Sequence, residues 1–106
     1  MNRIYTGTVE GTGSEIEITL GFIPNYVRLF NIDGVAILEW TPDMGAGKGL
    51  KIADSGTGAT DIELISSGGV TISSSSDDFR GFKIGTDSDI NVEDETINYV
   101  AFADRE

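Results

Sequence analysis

The sequence predicts an all-β protein, an antiparallel β-sandwich or jelly-roll-like single domain over residues 1–106. Three observations predict it. Short apolar and β-branched runs recur about every 8–12 residues with turn formers between them. Fourteen glycines gather in clusters suited to tight reversals. No window of about eleven residues has the 3.6-residue periodicity of an amphipathic helix.

The runs can be taken in order. Ile4-Tyr5-Thr6-Gly7-Thr8-Val9 reads as an opening strand. Glu15-Ile16-Glu17-Ile18-Thr19-Leu20 alternates strictly, which sets Ile16, Ile18 and Leu20 on one face. Tyr26–Asn31 is aromatic and β-branched, and the Asp33-Gly34 pair after it signals a turn. Ala36–Trp40 follows and stops at Thr41-Pro42-Asp43, where proline removes a ladder donor. Leu50–Ile52, Ile62–Ile65, Val70–Ile72, Gly81–Gly85 and Asn98–Ala103 complete the set. Gly45–Gly49, Ser55–Gly58 and Ser66–Gly69 are the dense turn clusters between them. No linker, composition break or internal repeat marks a second domain.

Composition narrows the function. A chain of 106 residues forms one core, burying about 60–68% of its unfolded surface, with no cleft between two domains. Eighteen acids face seven bases for a net charge of −11. The bases Arg3, Arg28, Lys48, Lys51, Arg80, Lys83 and Arg105 are scattered. Direct binding to nucleic acid or to an anionic membrane is not expected of such a surface. The acidity reads as solubility and resistance to self-association. With no cysteine there is no disulfide framework, and with no histidine the usual general base and commonest zinc ligand are missing. Met1–Tyr5 lacks the apolar run of a signal peptide and no stretch reaches transmembrane length, so the chain is expected in the cytosol where it is made.

Candidate motifs fail on spacing. Gly45-Ala46-Gly47-Lys48-Gly49 resembles a phosphate loop, but Pro42 stands where its first glycine belongs and Gly49 where the Ser or Thr belongs. It reads as a flexible loop. Asp87-Ser88-Asp89-Ile90-Asn91 matches the first ligand positions of a calcium loop, but Val92 replaces the glycine and Asn98 the final glutamate. A different calcium site using Asp87, Asp89 or the Glu93-Asp94-Glu95 run stays open, and a solvated acidic loop is the simpler reading. No two of the acids are singled out as a glycosidase pair. Ser73–Ser76 has no histidine and no nucleophile elbow, and reads as a loop. Trp40 reads as core rather than as a sugar platform. No catalytic, cofactor-binding or metal-binding residue is assigned, no cofactor is expected, and the protein is expected not to be an enzyme.

Two segments carry a resemblance. Gly21-Phe22-Ile23-Pro24-Asn25-Tyr26-Val27-Arg28-Leu29 opens it, and Gly81-Phe82-Lys83-Ile84-Gly85, then Asp89-Ile90-Asn91 and Asn98-Tyr99-Val100-Ala101-Phe102, closes it. Together they resemble small tailed-bacteriophage virion proteins of the capsid decoration (cement) and tail accessory kind. The layout is also similar to the H-type lectin sandwich. The same residues have structural uses: Pro24 can pin the chain before a strand, and Phe82 and Tyr99 can fill the interior. The resemblance implies a capsid decoration protein that binds and stabilises an assembled head. It implies the major capsid protein or other virion proteins as partners, a homotrimer, and a place in the virion after synthesis in the host bacterial cytoplasm. Residues 1–13 and the glycine-rich loops are then the expected contact regions. The alternative it implies is a receptor- or glycan-binding lectin-like domain of a tail fibre.

Overall fold

The computed structural model describes residues 3–54, 60–72 and 80–103. The described chain is all-β, as the alternating runs require. Its strands are β1 (Arg3–Glu10), β2 (Ile16–Thr19), β3 (Tyr26–Asn31), β4 (Ala36–Trp40), β5 (Lys48–Asp54), β6 (Thr60–Thr71), β7 (Gly81–Ile84) and β8 (Thr96–Ala103). Among the described residues there is no α-helix, and a single 3₁₀ turn covers Pro42–Met44. All eight strands form one antiparallel sheet in the order β1-β8-β3-β4-β5-β6-β7-β2.

That sheet folds over on itself. In a flat sheet β8 and β7 would stand about 24 Å apart, five steps of about 4.8 Å. Yet the Phe82 ring of β7 meets the Tyr99 ring of β8 edge to face, with centroids 5.6 Å apart. The curled sheet is a half-barrel, and its two inner walls supply the sandwich-like core. Val27 and Leu29 of β3, Leu38 and Trp40 of β4, Phe82 and Ile84 of β7, and Ile97, Tyr99 and Ala101 of β8 are buried there. In β8 the buried residues alternate with half-buried Val100 and Phe102, as the period of two demands. Ile16 and Leu20 flank buried Ile18 against the same core, and Pro24 is buried ahead of β3.

One end of the half-barrel is plugged by the β7–β8 connection, residues 85–95. Its Ile90 is fully buried and its Asn91 nearly so. Asp89, Glu93 and Asp94 are exposed, as a solvated acidic loop has them, but Ile90, Asn91 and the Asp87 carboxylate are not, so the segment is also a plug. Asn31 at the end of β3 holds it. The Asn31 amide donates to the carbonyls of Asp89 (3.0 Å) and Ile90 (3.2 Å) and to Glu95 Oε1 (2.9 Å). The Asn31 Oδ1 accepts the amides of Asp33 and Gly34 and so shapes the β3–β4 turn at the same time.

One turn cluster is strand throughout, and another, Gly45–Gly49, is strand only in its last two residues. Ser66-Ser67-Gly68-Gly69 lies inside β6, which is continuous from Thr60 to Thr71. The ladder steps from Gly49↔Ile65 to Lys48↔Val70, so these four residues bulge out of register with β5. The bulge is stapled on both sides: Gly69 N–H donates to Gly47 C=O at 2.9 Å, and Gly85 N–H donates to Gly69 C=O at 2.8 Å. Glycine is required here, because Gly68 has φ +82° and a Cβ on Gly85 would stand 2.5 Å from the Gly68 carbonyl carbon. Lys48 and Gly49 likewise belong to β5 rather than to a flexible loop.

The β3–β4 turn carries one strained residue. Val35 has φ +56° and is 70% exposed. A β-branched residue in that region costs about 1–2 kcal/mol. Val35→Asn, which tolerates the left-handed conformation and gives up little burial, is expected to raise the unfolding free energy by about 1 kcal/mol. An unchanged or lower urea midpoint would contradict the strain.

Candidate interaction surface

The ladder registers fix which side chains look outward. One outward row runs Thr6–Val100–Arg28–Glu39–Leu50–Leu64 across six strands, and the next runs Thr8–Asn98–Phe30–Ile37–Ile52–Ile62. Apolar residues therefore line both faces of the sheet. In β6 this follows from a conflict of parity: Ile65 faces the core, so Ile62 and Leu64 must face away from it. Ile62 is 68% exposed and Leu64 75%. They continue half-buried Ile52, Leu50 and Ile37 on the neighbouring strands into one aliphatic patch. Leu64 also walls a recess of about 350 Å³ with Met44, Lys48 and Ser66.

The centre of that face is polar and ordered. The Tyr26 hydroxyl donates to Glu39 Oε2 at 3.1 Å. Arg28 Nε lies 3.3 Å from the same oxygen, at an angle that makes the contact an ion pair without a hydrogen bond. The guanidinium covers the Phe30 ring at 4.8 Å.

The acidic segment singled out by its calcium-like spacing has another use. Lys51 is on the core face of β5, in register with Leu38, and its stem runs toward the plug. Its ammonium sits 3.1 Å from Asp87 Oδ2 and 2.6 Å from Asp89 Oδ2, and it donates to Asp87 Oδ1 at 3.1 Å. The Lys51 and Asp87 side chains are only 11% and 9% exposed. Asp87 Oδ2 also accepts the amides of Asp89 and Ile90. The two aspartates thus converge on a cation that the chain itself provides. Among the described residues no group of three or more acids is gathered so as to hold a metal ion. Glu95 of the neighbouring acidic run is bonded to Asn31 instead.

The remaining sequence candidates fall elsewhere. Trp40 is 1% exposed and its indole N–H donates to Gly45 C=O at 2.8 Å, so it is a core residue with its polar atom satisfied and offers no sugar platform. The N-terminal segment expected to make contacts is, over Arg3–Glu10, an edge strand of the sheet. Ser55–Gly58 and Ser73–Ser76 lie outside the described residues. A recess of about 470 Å³ opens at the unplugged end between Arg3, Phe22, Pro24, Pro42, Arg80 and Ala103. Asn31, which organises the plug, has no sequence signal of its own, and Asn91 stands in the calcium-like spacing but bonds backbone groups instead.

Three groups have pKa values raised by the fold. Burial alone would push the Lys51 ammonium down, but its hydrogen bonds to Asp89 and Asp87 and their charges outweigh that and hold it above 10.5. Tyr26 is raised above 10.0 by burial, then by its bond to Glu39 and that group's charge, with Arg28 opposing. Tyr99 is raised by burial and then by Tyr5. In each case the fold favours the protonated form. The stability they contribute is complete below the unfolded values and is lost as pH rises through the folded ones. The urea midpoint is expected to show no contribution from these groups' titration below about pH 9.5 and to fall above it. A midpoint level to about pH 11.5 would contradict this.

No family model, no curated protein and no solved structure matches the chain.

Proposed function

We propose that this chain is a non-enzymatic structural protein that docks onto other proteins through the outer face of its sheet. The observation that carries the reading is the aliphatic patch formed by Ile62 and Leu64 with Leu50, Ile52 and Ile37. Monomeric proteins seldom leave such rows open to water, and a hydrogen-bonded sheet face suits repeated attachment at fixed sites. The particular setting we propose is a phage head, with the chain as a decoration protein on the assembled shell. That step comes from the resemblance of the Gly21–Leu29 and Gly81–Phe102 segments to small virion proteins. The net charge of −11 suits it by keeping the free protein soluble before attachment.

The test is to mix purified protein with undecorated shells and count bound copies by mass. Saturable binding at a fixed number per capsomer is expected for the natural chain. Leu64→Asp and Ile62→Asp are expected to weaken binding at least tenfold while leaving the circular dichroism and melting curve unchanged, because both side chains are exposed. No saturable binding would reject the decoration role. Binding indifferent to both substitutions would reject the outer face as the docking surface.

A further inference from the structure

The two edges of the sheet are unlike. β2 is only four residues long, a length that gives another strand little to pair with. β1, at the other edge, is eight residues long with the sequence Arg-Ile-Tyr-Thr-Gly-Thr-Val-Glu. It has no proline, no lysine and no charge between its ends, and most of it is exposed. Among the described residues, none of the usual devices that block strand addition is present there.

The free backbone groups of this edge can be assigned. Gly11 N–H donates to Glu95 C=O at 2.8 Å, continuing the β1–β8 register by one more bonded pair. Bonded pairs recur every second residue in an antiparallel ladder. The odd-numbered residues of β1 therefore bond to β8, and Ile4, Thr6, Thr8 and Glu10 direct their N–H and C=O groups away from the sheet.

The geometry points to a second copy of this chain as the partner of β1, added antiparallel about a twofold axis at Thr6. A twofold axis normal to the sheet keeps both copies facing the same way, so residues of equal parity must pair. With the axis at Thr6, each Thr6 meets its counterpart and each Ile4 meets Thr8 of the other copy. All of these are positions whose backbone groups point outward, so each pair exchanges both bonds. Shifting the axis to Gly7 would set Ile4 against Glu10 and one glycine against another, which is worse on both counts. Charge supports the direction. In a chain of net −11 this edge carries one base and one acid. Antiparallel addition brings the Arg3 end of each strand toward the Glu10 end of the other, whereas parallel addition would align like with like. The joined sheet also makes the outward rows of the two copies continuous through Thr6 and Thr8. A threefold assembly cannot set β1 against β1, and would have to use the short β2 edge. This inference concerns the edge and does not depend on the docking role of the outer face.

Light scattering on a sizing column at stepped protein concentrations tests it. The natural chain is expected to approach the mass of two copies as concentration rises. Thr6→Pro removes an N–H that has no partner within the chain, so it is expected to leave a folded monomer with a dimer dissociation constant at least tenfold weaker. If that variant does not fold, Thr6→Lys serves in its place, since it keeps the N–H and sets two ammonium groups face to face. The chain has no cysteine, so Thr6→Cys under mild oxidation reports the register directly. Its two Cα atoms would stand about 5.5 Å apart, and a disulfide-linked dimer is expected, with none from Leu64→Cys as a control. A monomer at every concentration, a trimer, a dimer indifferent to the substitutions, or equal cross-linking at Leu64 would each overturn the inference.

Discussion

Lys51→Met is expected to destabilise the fold by about 3–5 kcal/mol, the cost of leaving a buried charge without its partner. The methionine keeps most of the apolar stem but abandons the Asp87 carboxylate, which is nearly buried. Asp87 would retain the amides of Asp89 and Ile90, and that places the expected loss at the lower end. Asp89→Ala should matter much less, under about 1 kcal/mol, because that carboxylate is half exposed and water replaces the lysine. The ranking is the sharper test. Urea midpoints that fall equally for both variants would mean that Lys51 does not act as the tie between β5 and the plug.

Asn91→Ala is the second large effect. The Asn91 side chain uses all of its hydrogen-bonding capacity. Oδ1 accepts the amides of Thr12 (2.9 Å) and Gly13 (3.1 Å), and Nδ2 donates to the carbonyls of Ser14 (2.6 Å) and Gly85 (2.8 Å). It thereby joins the β1–β2 connection to the plug. Alanine would leave four backbone groups without their partner, at about 2–4 kcal/mol after water reaches some of them. Asn91→Asp gives a distinguishing signature. A carboxylate can still serve the two amides, but it faces the Ser14 and Gly85 carbonyls without protons to donate. The carboxylate is disfavoured in the folded chain, so its destabilisation should shrink as pH falls toward about 4, the unfolded value, and stay level below it. A pH-independent loss would mean that shape, rather than these bonds, makes Asn91 necessary.

The strands were readable where one local pattern decided them. Tyr26–Asn31 and Ala36–Trp40 form over the residues expected, because alternation, β-branching and the Asp33-Gly34 turn all agree. The split of β6 into two runs was an error with a clear cause. Ser66–Gly69 has the composition of a turn, and only the pairing of Gly69 with Gly47 and Gly85 with Gly69 keeps it extended. Strand order was not readable, since nothing in residues 3–10 says that they pair with 96–103. The plug is legible only in its exposed acids, for a similar reason. Its few apolar residues show no period, and what buries them is Asn31 and Lys51, reaching from distant strands. The outer patch was hidden because Ile62, Leu64 and Ile65 are equally apolar in sequence, and parity decides which of them water sees.

The strand order has a consequence for how the chain is made. β3 through β7 are neighbours in sequence and in space, a meander that can zip up locally. β1 and β2, synthesised first, occupy the two far edges, and β1 has no place to bind until the last strand arrives. β1 must therefore wait on the ribosome until residues 96–103 are made. Its long-range closure should limit the rate of folding, since distant contacts are the slow ones to form. During that wait its backbone groups are open to neighbours on other ribosomes. Moving β1 to the C-terminus by circular permutation should shorten the wait and speed refolding without altering the finished sheet.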